Sequence, residues 1–205
     1  MISRMVKQGL RRLGLDLRRK APSINGRYSG DVTGGLTKIH YGCGTVLLDG
    51  WLNVDLHVPH VPGRSLTLNI TERHPFPDGT FEYGFSEDFL EHLEQPDQII
   101  FLTEAFRTLK VGGVLRLSCP CLDGMLGVHY APPTLETALQ ARHDAYDAHE
   151  HRHIPAKEEL KLIGLHIGFR EVLFRDFGES PYPTLARLEV RANQRPVNLY
   201  AELIK

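Results

Sequence analysis

The stretch HYGCGTVLLDGWLNVD, residues 40–55, decides the expected fold. It places Gly42 and Gly44 directly after a short apolar segment, and it closes a second apolar segment with Asp55. Glycines allow the backbone N–H groups of such a turn to approach a ligand closely, and a carboxylate at the tip of the next strand can bind both hydroxyls of a ribose. The two glycines alone are equally compatible with a plain turn.

The stretch also departs from the glycine pattern of dinucleotide-binding proteins. Val46 stands where a third glycine would be expected, and residues 45–54 leave no room for a full crossover helix before Asp55. A helix N-terminus that could hold a pyrophosphate is therefore short or absent. This spacing disfavours an NAD-type oxidoreductase.

Composition indicates a soluble protein of ordinary type. The 205 residues suffice for one domain with a sizeable core, and a formal net charge of −1 argues against a nucleic-acid-coating function. Three cysteines, Cys43, Cys119 and Cys121, suggest no disulfide framework, so we expect a cytoplasmic location. Cys119 and Cys121 lack a second C-x-C pair and are expected to be buried rather than to bind zinc.

The first 20 residues are strongly basic and carry an apolar stripe. Ile2, Val6, Leu10, Leu13 and Leu17 follow helical spacing, which predicts an amphipathic helix weakened by Gly9 and Gly14. This leader either docks on the domain or makes weak contact with an anionic membrane or a partner. Residues 21–35 are rich in turn formers, so we divide the chain into a leader with linker, 1–35, and a domain, 36–205.

The remaining sequence alternates between strand-like and helix-like segments. Strands are predicted at 36–41, 51–56, 65–70, 81–87, 114–119 and 169–174, and helices at 97–110 and 156–168. A turn is predicted at 111–113, and residues 184–205 suggest two strands around a turn at 193–196. The pattern predicts an α/β protein with a mostly parallel sheet and an antiparallel C-terminal hairpin.

Four segments, taken in order, carry a resemblance to a known family: YGCGTVLLDGWLNVD (41–55), LTLNITERHPFPDGTFEYGFSEDFLEHL (66–93), LTEAFRTLKVGGVLRLSCP (102–120) and HRHIPAKEELKLIGLHIGFREV (151–172). They resemble class I S-adenosylmethionine-dependent methyltransferases, in particular small bacterial methyltransferases of type 11, and the succession from 75–93 to 109–118 is the most specific part. The resemblance implies a Rossmann-like sheet with helices on both faces and S-adenosylmethionine as cofactor. The short link between the glycine turn and Asp55 is usual in such proteins.

The resemblance also implies roles for individual residues in cofactor binding. The turn around the methionine part would be Tyr41, Gly42, Cys43 and Gly44. Asp55 would hold the ribose hydroxyls and Leu56 would lie beside the adenine. Asn69 and Ile70 stand where the family often has an acidic and then an apolar residue near the adenine, although Asn69 is equally compatible with a turn. Ser86 and Glu87 would line the centre of the cofactor.

Candidates for acid–base chemistry follow the fourth predicted strand. Asp88 and His92 are four residues apart, which would place them on one helical face, and His92 titrates near neutrality. We take His92 and Asp88 as candidate catalytic residues, although local packing of His92 is equally compatible. Glu91 is expected to be solvated.

A histidine-rich segment lies further along the chain, within residues 123–155. The resemblance puts it over the active site, where substrate is usually selected, so His143, His151 and His153 are candidate substrate contacts. His149 belongs to the same run, and a solvated loop remains an alternative. Histidines at every second position could converge on a metal, but we predict no metal site, because no cysteine adjoins them and they share one side only if the chain is extended.

The expected activity is transfer of a methyl group from S-adenosylmethionine to a small-molecule or glycan-type acceptor. The glycan suggestion, and with it bacterial polysaccharide biosynthesis, rests on similarity alone, since related bacterial proteins with comparable basic leaders often accompany surface-polysaccharide synthesis. The alternative is a binding or scaffold protein that kept the fold and lost the activity.

Overall fold

A computed structural model describes residues 23–129 and 134–205. For His129 it describes the backbone only. The predicted leader helix within residues 1–20 lies outside the described residues. Within the described ranges, no helix combines the length and the apolar character needed to cross a bilayer.

A seven-stranded sheet forms the centre of the molecule. Its strands are β1 (Lys38–Tyr41), β2 (Leu52–Asp55), β3 (Ser65–Thr67), β4 (Phe81–Glu87), β5 (Leu109–Pro120), β6 (Glu171–Phe174) and β7 (Asn198–Ile204). They are arranged in the order β3-β2-β1-β4-β5-β7-β6, and only β7 runs antiparallel to its neighbours β5 and β6. The prediction of a mostly parallel α/β sheet with an antiparallel C-terminal pair is confirmed.

Two helices cover one face of this sheet. The described helices are α1 (Gln95–Thr108), α2 (Leu122–His129), α3 (Leu135–Arg142) and α4 (Lys157–Ile167). Phe101, Leu102 and Ala105 of α1 and Leu160 of α4 are buried in the main core against Leu115 and other sheet residues. Pro96, at the start of α1, occupies a position where its missing N–H costs nothing.

The opposite face is covered, among the described residues, mainly by an irregular segment. Leu185, Tyr182 and Leu188 pack there against Phe85 of β4 and Val114 of β5. The prediction of a strand at the start of residues 184–205 is therefore wrong. Its apolar alternation is satisfied by packing onto the sheet surface, and the strand that pairs with β7 is β6 instead.

The predicted turn at 111–113 also differs from the structure. These residues belong to β5, which begins directly after α1, and the register moves from Phe81↔Leu109 to Tyr83↔Val114 across a bulge. Gly112 has φ of +78°, and its N–H donates to the carbonyl oxygen of Lys205 at 2.8 Å. The glycines therefore form a bulge that is paired with the C-terminus.

The described part of the predicted linker packs closely on the domain. Asn25 is buried, and its Nδ2 donates to the carbonyl oxygens of Asn69 at 2.7 Å and Arg73 at 3.0 Å. The hydroxyl of Tyr28 donates to the carbonyl oxygen of Thr67 at 2.6 Å. Residues 25–28 thereby cap the carboxyl end of β3, next to the candidate cofactor site.

Candidate functional site

The glycine turn after β1 requires glycine for two different reasons. Gly42 and Gly44 have φ of +63° and +52°, in the left-handed region that favours glycine. A Cβ atom on Gly42 would lie 2.3 Å from ring atoms of Phe89, whereas one on Gly44 would meet nothing within 4 Å. The Phe89 ring therefore leaves no room for a side chain at position 42, whereas the space beside position 44 is open.

Asp55, the last residue of β2, is fixed beside this turn. Its Oδ2 accepts from the N–H of Gly44 at 3.1 Å, and its Oδ1 accepts from the N–H of His57 at 2.9 Å. The residue is half-buried, and each carboxylate oxygen keeps acceptor capacity. Leu56 beside it is 44% exposed, so both side chains are accessible to a ligand.

Three of the other candidate cofactor residues direct their side chains into the interior. The Tyr41 ring packs edge-on against Phe101 with centroids 5.1 Å apart, and Ile70 belongs to the main core. Burial raises the pKa of the Cys43 thiol to about 12, so this thiol stays protonated. Any contact of these residues with a cofactor would come from their backbone or from packing.

The side chain of Asn69 forms a turn after β3. Its Oδ1 accepts from the N–H and the hydroxyl of Thr71 at 3.1 and 2.9 Å, and its Nδ2 donates to Glu72 at 2.9 Å. The turn, which the sequence left as one of two alternatives, is therefore the observed arrangement.

The end of β4 presents one hydroxyl without a partner and one constrained acid. Ser86 is 2% exposed, and its Oγ has no hydrogen-bond partner among the described residues. The Glu87 carboxylate accepts from the N–H of Val190 at 3.1 and 3.3 Å, and burial raises its pKa. An unpaired buried hydroxyl at this position fits a site that takes a polar ligand.

A cavity of about 450 Å³ lies at the carboxyl ends of β4 and β5. Its wall includes Asp88, Glu91, His92, His149, His151 and Arg191. The carboxyl ends of parallel strands are where open α/β sheets place their ligands. The glycine turn and Asp55 lie at the same edge of the sheet, because they also follow the ends of β1 and β2.

Asp88 lies on the cavity wall but not on a helix with His92. It has φ of +47°, and the helical turn that follows is only Leu90–His92. The prediction of a shared helical face is therefore wrong, because the chain bends at Asp88 before that turn begins. Its carboxylate accepts from Asn198 Nδ2 at 2.9 Å and pairs with Arg191 at 2.9 Å, while burial raises its pKa.

Glu91 is the largest departure from expectation at this site. It was expected to be solvated, but it is 1% exposed, and burial raises its pKa to about 8. The reason is a loop that closes over it: the carbonyl oxygen of Glu91 accepts from the N–H groups of Arg152 at 2.8 Å and His153 at 3.2 Å. Its Oε2 has no partner among the described residues.

Two histidines face this buried acid from separate segments. The Nε2 atoms of His92 and His151 each lie 3.9 Å from Glu91 Oε1, and the two rings are 5.0 Å apart. Burial lowers the pKa of both imidazoles. Near neutral pH the pair is therefore uncharged and has nitrogen lone pairs available.

The remaining candidate substrate contacts lie elsewhere. His143 is exposed at the start of a π-helical turn, His143–Asp147, and His153 Nε2 lies 2.8 Å from Glu159 Oε1. Neither lines the cavity. Sequence reasoning missed Arg191, which it placed in a predicted strand and which no motif marks.

Comparison with known proteins agrees with this architecture. Residues 39–117 match the family model described as a methyltransferase domain. No curated protein matches the sequence. Similar solved structures include an S-adenosylmethionine-dependent methyltransferase from Archaeoglobus fulgidus, with 18% identity, a TM-score of 0.55, and coverage of 98% of this chain and 93% of that one.

Two further structures extend this similarity. A methyltransferase of the same cofactor class from Mesorhizobium loti shares 15% identity with a TM-score of 0.54, covering 86% of this chain and 94% of that one. Phosphoethanolamine N-methyltransferase 2 from Haemonchus contortus, solved with S-adenosyl-L-methionine, shares 14% identity with a TM-score of 0.54, covering 86% and 50%. Its matched segment is that of a methyltransferase domain, and its fold is that of class I S-adenosylmethionine-dependent methyltransferases.

Proposed function

We propose that this chain transfers a methyl group from S-adenosylmethionine to a small-molecule or glycan-type acceptor held in the cavity beside Asp88 and His92. The observation that carries the proposal is the pairing of Asp55 with the N–H of Gly44, at the same sheet edge as the cavity. This pairing fixes a carboxylate with free acceptor capacity beside an open glycine turn.

The residues fit the cofactor in distinct ways. Asp55 would accept from the ribose hydroxyls, and exposed Leu56 would pack on the adenine. Gly42 and Gly44 would allow the methionine part to approach the backbone, and the unpaired hydroxyl of Ser86 would hydrogen-bond a polar group of the cofactor. When bound, S-adenosylmethionine supplies an activated methyl group, and the chain mainly has to align the acceptor and exclude water.

We assign different roles to the two candidate catalytic residues. Asp88 is already bound to Arg191 and Asn198, so it positions Arg191 at the cavity rather than acting as a free base. His92 is half-buried with an available ring nitrogen, so it is the group that acts on the acceptor. Of the proposed substrate contacts we retain His151, because His143 and His153 do not line the cavity.

The cellular context is also a proposal. All three cysteines are free and buried, which supports a cytoplasmic location. Polysaccharide biosynthesis in a bacterium, and weak contact of residues 1–20 with a membrane or a partner, rest on the sequence resemblance and on the basic leader. The net charge of −1 supports a substrate other than nucleic acid.

Calorimetric titration with S-adenosylmethionine and S-adenosylhomocysteine tests the proposed function. We expect binding by the wild-type protein that is lost in Asp55→Ala. Asp49→Ala is the matched control, because Asp49 is a nearby exposed acid whose side chain is 93% accessible. Absence of binding by folded wild-type protein would refute the enzyme and favour the inactive scaffold.

A further inference from the structure

We propose that Glu91, His92 and His151 bind one divalent first-row transition-metal ion, of the zinc type, in the wall of the cavity. The three side chains each offer a ligand atom, and these atoms all lie within 4.8 Å of one another. They come from two segments far apart in sequence, the turn after β4 and the loop before α4. This reverses the expectation from sequence, in which the histidines have no partner ligand.

The spacing suits a metal better than a direct hydrogen bond. At 3.9 Å from Glu91 Oε1, neither imidazole nitrogen is within hydrogen-bond distance of the carboxylate. Zinc binds nitrogen and carboxylate oxygen at about 2.0–2.2 Å, which places tetrahedral ligand atoms roughly 3.3 Å apart. The two distances to Glu91 would contract by about 0.6 Å, and the distance between the two histidine ligand atoms, which is at most 4.8 Å, by no more than about 1.5 Å; side-chain rotation would have to supply these movements.

His151 is already oriented as a ligand. Its Nδ1 lies 2.6 Å from the carbonyl oxygen of Ala145, which can only accept, so Nδ1 carries the proton. Nε2 then presents its lone pair toward Glu91. A backbone carbonyl that fixes the tautomer in this way is the usual outer partner of a metal-binding histidine.

Glu91 supplies the second, independent observation. It is 1% exposed, and its Oε2 has no hydrogen-bond partner among the described residues. Burial of an ionised carboxylate with an unpartnered oxygen is unfavourable, and either protonation or a bound cation offsets it. A cation bound between the three side chains would explain why the Glu91 carboxyl group is oriented toward His92 and His151.

The backbone around the cluster holds the two segments together under strain. Glu150, next to His151, has φ of +57°, which is unfavourable for a residue other than glycine. The N–H groups of Arg152 and His153 bind the Glu91 carbonyl oxygen and keep this loop in place. Such strain concentrates at functional sites, where the surrounding structure maintains it.

Two histidines and one carboxylate leave coordination positions open toward the cavity. This role of the metal rests on the proposed function. An acceptor hydroxyl bound there would lose its proton to solvent more readily. Its oxygen would then form a bond to the methyl carbon as the bond from sulfur to that carbon breaks, yielding the methyl ether and neutral S-adenosylhomocysteine. His92 would act on the acceptor as a ligand of the metal.

The test measures metal binding without activity and without S-adenosylmethionine. Chelator-treated full-length protein is titrated with Zn²⁺ by calorimetry and with Co²⁺ by visible absorption. We expect one ion per chain, with affinity for it reduced at least about 100-fold in Glu91→Gln and in His151→Gln. Loss of a residue that only hydrogen-bonds a metal ligand reduces metal affinity by about 10- to 100-fold, and loss of a ligand itself should cost at least as much. His143→Gln, at an exposed histidine outside the cluster, is the control and should bind as wild type.

Two results would overturn the inference: the wild-type protein does not bind one metal ion per chain, or Glu91→Gln and His151→Gln both bind the ion as tightly as the wild type. Circular dichroism verifies folding, and His92→Asn replaces any variant that does not fold. The two proposals fail separately. If the wild-type protein binds S-adenosylmethionine but no metal ion, only this inference is refuted; if it binds the metal ion but not the cofactor, only the proposed function is refuted.

Discussion

Replacement of Gly42 by alanine should destabilise the fold more than the same change at Gly44, and the difference can be worked out from the structure. Both residues have positive φ, so each substitution incurs a conformational penalty of about 1–2 kcal/mol. Only at position 42 does the new Cβ overlap the Phe89 ring, at 2.3 Å. Overpacking of this kind adds about 1–3 kcal/mol.

We therefore expect Gly44→Ala to lower the free energy of unfolding by about 1–2 kcal/mol and Gly42→Ala by about 2–5 kcal/mol. Urea denaturation followed by circular dichroism measures both. Phe89→Ala in the Gly42→Ala background should recover part of the loss relative to the sum of the single changes, because it removes the overlapping ring. Equal destabilisation at the two glycines, or strict additivity with Phe89→Ala, would refute the steric argument.

Three further outcomes follow from buried polar groups. Burial lowers the pKa of His40 and of His74 to about 4, whereas a histidine in the unfolded chain has a pKa of about 6.5. Between these values the unfolded chain binds more protons than the folded one, so the free energy of unfolding should fall by about 2 kcal/mol per histidine from pH 7 to pH 5. In urea titrations, His40→Asn should make this fall less steep. Arg116→Met should cost about 3–5 kcal/mol by thermal denaturation, because fully buried Arg116 pairs with buried Glu189 at 2.6 Å. Asn25→Ala should cost about 1–3 kcal/mol in the same measurement, because it removes three hydrogen bonds from the buried Asn25 side chain to part-buried backbone groups that follow β3.

Controls for these outcomes come from exposed groups. Arg170→Met removes a pair with Glu171 that is largely solvated and should cost less than about 1 kcal/mol. A loss at Arg116 no greater than at Arg170 would contradict the argument for the buried pair. A pH profile unchanged by His40→Asn would show that His40 does not contribute to the acid sensitivity, and a neutral Asn25→Ala would show that the linker contacts are dispensable.

The sequence was most informative where one local pattern settles one element. The strand at 81–87 was predicted with the observed bounds, and the helix at 97–110 begins at Gln95 in the structure. The mostly parallel character of the sheet followed from strand–helix alternation, whereas its strand order was not predicted. Prediction failed where tertiary contacts override a local pattern. The segment that contains Leu185 and Leu188 was predicted to be a strand but packs on the sheet face, and 111–113 form a bulge with which the C-terminus pairs.

The cofactor part and the acceptor cavity of the candidate site also differ in how far the sequence predicts them. Gly42, Gly44 and Asp55 lie within fourteen residues of sequence, so the local pattern together with the family resemblance predicts a cofactor pocket there. The acceptor cavity instead combines the turn after β4, the loop around His151 and the segment at Arg191. No local pattern reveals that Glu91 is buried, since its burial depends on residues 152 and 153 closing over it.

The end of β4 connects these two parts. A substitution that is meant to affect only one of them therefore has to lie outside this segment. Ser86 and Glu87 end β4, and Asp88, Glu91 and His92, which follow within residues 88–92, line the cavity. We expect a change in this segment to affect both parts, because Asp88 lies between them in a left-handed conformation. Asp55 ends β2 beside the glycine turn, whereas His151 lies in the loop before α4 on the cavity wall. Substitutions at these two positions should therefore abolish cofactor binding and metal binding independently of each other.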